Sequence, residues 1–138
     1  MSFRNFVWLA AAASMLSGCA VADFTFRPFV GDAQVQVGEG GARDVMDGVE
    51  IWLKGTPPKP YRVVGYLTSD YREGAGMASL EKAIAQKVKA AGGDGVILTE
   101  QRREKGDGYV MGRYIVYDTE ITDEFEVFRY EASQSVRE

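Results

Sequence analysis

Residues 77–98 read MASLEKAIAQKVKAAGGDGVIL, a segment that passes from the period of a helix to the unbroken run of a buried strand within a few residues. Leu80, Ile84, Val88 and Ala91 fall at spacings of four, four and three, so they share one stripe of a helix. Glu81, Lys82, Gln86, Lys87 and Lys89 fall on the opposite, watered side. Gly92 and Gly93 supply a left-handed stop, and Lys87 and Lys89 place cations where the helix dipole is negative. The spacing thus predicts a helix over 77–91. Val96-Ile97-Leu98 follows at once, with the composition of a central strand covered on both faces.

Working outward toward the N-terminus, Val49-Glu50-Ile51-Trp52-Leu53 alternates, placing Val49, Ile51 and Leu53 on one face of a strand. A stiff loop follows from Gly55 through Pro57, Pro58 and Pro60, because proline fixes φ and donates nothing to a ladder. A second strand over 61–67 is expected to pair with the first as an antiparallel hairpin, with Gly65 marking a bulge or a close contact. Farther upstream, 33–37 alternates as a half-buried strand, and Gly38-Glu39-Gly40-Gly41 ends it as a turn or linker. Those glycines lack the G-K-[ST] ending of a phosphate loop.

Toward the C-terminus, 101–108 reads as a charged turn, with strands over 109–118 and 125–131 and a polar tail after Ala132. The expected order is ββ(β)αβββ. This is an α+β fold, one helix packed on a mainly antiparallel sheet of about 5–6 strands in a two-layer sandwich.

The N-terminus has a different character. Arg4 precedes an apolar run over 6–16, too short for the roughly 20 residues of a bilayer span and suited to a signal peptide. Leu16-Ser17-Gly18-Cys19 then has the form of a lipobox. Its resemblance to bacterial lipoprotein precursors implies cleavage before Cys19, a diacylglyceryl thioether on the Cys19 sulfur and an acylated new amine. A thiol is required because its thiolate forms the thioether at modest pH. Two or three acyl chains hold a protein on a bilayer stably, where one does so only marginally. Cleavage after Ala20-Val21-Ala22 by an ordinary signal peptidase is the competing reading, and it would give a soluble chain from Asp23. Ala20, where an aspartate would signal inner-membrane retention in such lipoproteins, directs the expectation to the outer membrane, facing the periplasm. The expected organisation is a signal peptide over 1–18, a lipidated tether over 19–31, a single α+β domain over 32–132 and a polar tail over 133–138.

Without residues 1–18 the chain carries fifteen basic and twenty acidic side chains. That balance argues against nucleic acid as a partner and against electrostatic binding to anionic lipid. There is no histidine, and Cys19 is the single cysteine. Ser-His-Asp and Cys-His catalysis, His/Cys zinc sites, haem and iron–sulfur ligation therefore lack their residues, as do structural disulfides. No cofactor, metal or catalytic residue is assigned.

The segments Asp47-Gly48-Val49-Glu50-Ile51-Trp52, Gly55-Thr56-Pro57-Pro58, Val64-Gly65-Tyr66 and Ala91-Gly92-Gly93-Asp94-Gly95-Val96-Ile97 resemble a group of small, functionally uncharacterised bacterial lipoproteins. More distantly, the strand-helix-Gly-Gly-Asp-x-Val-Ile arrangement is similar to the domain shared by YbjQ-type proteins and the lipoprotein sensor of the Rcs envelope-stress pathway. The resemblance implies a fold and a location. The sensor's disulfides have no counterpart in this chain, so neither its stabilisation nor its partners carry over.

Three groups of residues invite a functional reading. The carboxylates Asp118, Glu120, Asp123, Glu124 and Glu126 suggest a calcium site or a carboxylate pair for glycoside hydrolysis, with a solvated turn as the plainer reading. Arg102, Arg103 and Lys105 form a small basic cluster at the tip of the charged turn. The aromatics Trp52, Tyr66, Tyr109, Tyr114, Tyr117, Phe128 and Tyr130 exceed what one small core needs if several face outward, and exposed Tyr and Trp are interface anchors. Trp52, Tyr109, Tyr114, Tyr117, Arg102 and Arg103 are the candidate interaction surface. The function expected is a non-catalytic, periplasm-facing binding module, anchored in the lipid bilayer through acylated Cys19, that meets another envelope protein or peptidoglycan. The alternative is a small carboxylate-dependent envelope hydrolase, acting near Asp94 or the 118–126 group.

Overall fold

The computed structural model describes residues 22–132. The signal segment, Leu16, Ser17, Gly18, Cys19 and Ala20 among it, and the polar tail lie outside the described residues. Six strands and one helix follow in the order β1 (Asp23–Pro28), β2 (Gly40–Met46), β3 (Val49–Thr56), β4 (Tyr61–Arg72), α1 (Met77–Ala90), β5 (Gly95–Met111) and β6 (Tyr114–Tyr130).

The strands form one mixed sheet in the order β1-β4-β6-β5-β3-β2. All neighbours are antiparallel except β3 and β5, which run parallel over Glu50–Trp52 and Gly95–Ile97. The expected two-layer α+β sandwich is therefore corrected: 61% of the structure is strand and 13% helix, and the sheet is curled into a half-barrel. Curling follows from long strands interrupted by bulges. Register shifts fall between Val63 and Gly65, between Leu98 and Glu100, and between Lys105 and Gly108. Each inserted residue bends its strand and increases the local twist.

The helix forms where the sequence places it. Leu80, Ile84, Ala85 and Val88 are buried, Gly92 takes a φ of 74°, and Lys87 and Lys89 occupy the last turn. Its apolar stripe meets Val49, Ile51, Leu67, Val96, Ile121, Phe125 and Val127 in the larger core. The opposite sheet face carries a second core of Trp52, Tyr61, Val63, Ile97 and Phe128, with Phe29 and Tyr66 packed against it. One helix covers only one of the two apolar faces, which is why a simple helix-on-sheet layering fails.

Three other expectations change. β3 and β4 do not form a hairpin, because β5 and β6 lie between them in the sheet. Residues 33–37 make no strand, only an isolated bridge from Gln36 to Tyr61. The glycine turn is instead the start of edge strand β2, where Gly41 and Gly55 approach so closely that a Cβ on Gly41 would sit 2.0 Å from the Lys54 carbonyl oxygen. The aromatic segment whose structure the sequence leaves open becomes β1, an edge strand on β4.

Candidate functional site

Residues 101–108 are not a turn; they continue β5, which pairs with β6 back to a tight connection at Gly112 and Arg113. Gly112 adopts a φ of 64°, which glycine accepts without strain. β4 stops at Arg72, opposite Glu120, so β5 and β6 run on past that point as a two-stranded arm with no third strand beside them.

On the arm Gly108 pairs with Tyr117, Tyr109 with Val116, Val110 with Ile115 and Met111 with Tyr114. Cross-strand partners share a face, and successive residues alternate between faces. Val110, Ile115 and Tyr117 therefore lie on one face, and Tyr109, Met111 and Tyr114 on the other. All six are exposed, Val110 at 77% and Tyr114 at 76%. Along β6 the alternation is unbroken, so the face of Ile115 and Tyr117 is the one that carries Ile121, Phe125 and Val127 onto the helix farther along. At the base of the arm Lys105 Nζ lies 3.6 Å from the centre of the Tyr117 ring.

The candidate surface is thus partly gathered and partly dispersed. Tyr109, Tyr114 and Tyr117 come together on the arm. Trp52, at 4% exposure, is a core residue, its ring under the Arg43 guanidinium. Arg102 and Arg103 sit mid-strand and are neutralised across it: Arg102 pairs with Glu124 at 3.1 Å and Arg103 with Glu73 at 3.3 Å. Val110, Met111 and Ile115 belong to the site although the sequence reading passed over them. Their signal was available, since 109–111 and 114–117 are unbroken apolar runs flanking Gly112-Arg113, with no alternation to mark an inner face.

The carboxylates are held apart. Asp123 is buried on the helix side, accepting hydrogen bonds from the Tyr71 hydroxyl (2.9 Å) and from Gln101 Nε2 (2.8 Å). Burial, followed by that bond to Asp123, pushes the Tyr71 phenol up to about 12. Glu124 and Glu126 point to the other face, where burial raises the Glu126 carboxyl. Asp94 accepts the backbone N–H of Tyr130, and Glu50 accepts both the Tyr130 hydroxyl and the Arg43 guanidinium. Among the described residues no three His, Cys, Asp or Glu side chains gather closely enough to hold a metal ion.

Two open hollows of about 380 and 440 Å³ meet at Tyr130, Glu131 and Ala132. Their shared carboxylate, Glu131, is paired with Arg62. Among the described residues no helix is long and apolar enough to cross a membrane. Compared with known proteins, the chain matches no family model, no curated protein and no solved structure.

Proposed function

We propose that the protein is a lipid-anchored, non-catalytic binding module of the bacterial envelope, held at Cys19, facing the periplasm from the outer membrane and making contact through the β5–β6 arm. The observation that carries this reading is the arm itself. Six large apolar side chains stand in water on a ribbon that no helix or third strand covers, and concentrated exposed apolar surface marks an interaction site.

The carboxylates weigh in the same direction. Glycoside hydrolysis needs two carboxyl groups converging across a bond, one of them kept protonated. Here Asp123, Glu124, Asp94 and Glu50 are spent on hydrogen bonds and ion pairs within the sheet. Asp94, Asp123 and Glu124, on which the hydrolase alternative would draw, are thereby occupied; the carboxylates that do converge, Asp44 and Glu81, lie elsewhere, where α1 meets β2.

A photo-crosslinking amino acid placed at Tyr114 and, as a control, at Lys82 on the exposed side of α1 tests the proposal in intact cells. Adducts from position 114 and none from 82 are expected. An arm that gives no adduct, or no more than the helix does, would remove the basis for the reading.

A further inference from the structure

Resting on that reading, we infer that the partner of the arm is the bilayer surface into which Cys19 is anchored, so that the protein is held at two points, by its acyl chains and by a membrane-dipping β-hairpin.

Direction comes first. β1 is antiparallel to β4, with Asp23 opposite Asp70 and Pro28 opposite Gly65, and β4 is antiparallel to β6, with Asp70 opposite Thr122. The start of β1 therefore lies at the end of the sheet from which the arm projects. The chain leading back to Cys19 leaves the domain on the arm's side.

Length agrees. Thr122 is nine residues from Arg113, which at about 3.3 Å per residue places the tip about 30 Å beyond the level of Asp23. Asp23 is four residues on from Cys19, a separation over which a fully extended chain covers at most about 14 Å. The arm thus overreaches the lipid attachment point by at least about 16 Å. Its apolar part, three residues on β5 and four on β6, accounts for about 10–13 Å of that. The part of the arm beyond the level of the thioether therefore contains the whole apolar segment.

The two-sided distribution separates a bilayer from a protein surface. A ribbon docking on a protein buries one face and keeps the other polar. Here both faces are apolar, as contact with a fluid medium on both sides favours, while the unpaired backbone groups along the two outer edges keep the ribbon at the interface. Tyrosines favour the boundary between headgroups and acyl chains, and Lys105 over Tyr117 sets one ammonium at the base of the apolar segment. Arg113 at the turn keeps the insertion shallow. An arginine is costly at the bilayer centre, so the arm lies slanted, which turns its reach along the strands into a smaller depth and lets the flexible Arg113 stem carry its guanidinium back toward the phosphates.

The chain itself supplies the test. With Cys19 converted to a thioether, an introduced cysteine is the only thiol of the mature protein, so Tyr114→Cys and Ile115→Cys, one on each face, can each take a single polarity-sensitive nitrobenzoxadiazole label. Lys82→Cys is the control. The lipidated protein is placed in vesicles of phosphatidylethanolamine and phosphatidylglycerol, with and without lipids carrying a nitroxide on the acyl chain. A blue shift, nitroxide quenching and loss of iodide quenching at both 114 and 115, with none of these at 82, is the expected result. One label per chain, co-flotation with the vesicles and an iodide-accessible probe at either arm position would overturn this inference alone. Shielding of one face only, or shielding that appears without vesicles as protein concentration rises, would assign the arm to a protein partner or a second copy and overturn it equally. Two labels per chain with no co-flotation would show a free Cys19, refuting the anchor and this inference with it.

Discussion

Strand β6 has two ends with opposite duties, and substitutions at each should separate them. Phe128 is fully buried, edge-on to Tyr61 with ring centres 5.5 Å apart and to Tyr130 at 5.1 Å. Phe128→Ala removes a large core side chain, for which about 3–5 kcal/mol of stability is the usual loss. For a domain of this size that lowers the melting temperature by about 12–20 °C, at about 4 °C per kcal/mol. Ile115, thirteen residues earlier on the same strand, is 61% exposed and packs into neither core. Ile115→Ser is expected to change stability by less than about 0.5 kcal/mol, the range of ordinary surface substitutions. Far-UV circular dichroism through urea and thermal unfolding reads both. Comparable destabilisation by the two substitutions would refute the reasoning, since it would show the arm packed into the fold and unavailable as a contact surface.

Three further outcomes are expected. Tyr71 is favoured in its neutral form in the fold, so its contribution to stability is complete below pH 10 and is lost as pH rises from 10 through about 12; Tyr71→Phe should flatten that alkaline limb in urea melts. The Glu81 carboxyl is raised by burial and then by its hydrogen bond and repulsion with Asp44, so its favourable contribution is present below pH 4.5 and lost above the raised value. Glu81→Gln should therefore gain up to about 0.5 kcal/mol at pH 7 and nothing at pH 4, with equal gains at both pH values counting against the assignment. A Cβ on Gly65 would meet the Phe26 ring at 2.5 Å and the Arg27 carbonyl oxygen at 2.7 Å, so Gly65→Val should free β1: amide exchange should accelerate across Asp23–Pro28 while β5 and β6 keep their protection.

What could be read from the sequence was whatever local periodicity encodes. The helix, its glycine stop, the buried strand at Val96 and the irregularity at Gly65 all declare themselves within a few residues. Pairing between distant segments does not. Nothing near Val49 announces that its strand will lie parallel to Gly95, and the hairpin expected from β3 and β4 was the cheaper local solution. The stretch 101–108 misled because charge density suggests a solvated turn. In the fold those charges alternate on a strand and find opposite partners, Arg102 on Glu124 and Arg103 on Glu73. The glycines at 40 and 41 misled for the reverse reason. Gly41 sits in a strand where Lys54 and Gly55 cross so close that no side chain fits between, and Gly40 takes a φ of 86° that suits glycine. At the candidate site the tyrosines were legible as residue types, but Trp52 and Tyr114 are indistinguishable until the sheet assigns one to a core and the other to water.

The proposed two-point attachment starts from the chemistry of Cys19. Intact mass spectrometry of the mature protein from its native membranes tests that foundation most directly. Expected is an N-terminus at Cys19, with a diacylglyceryl group on its sulfur and a further acyl group on the new amine. A chain of residues 23–138, or one retaining residues 1–18 with an unmodified thiol, would contradict it.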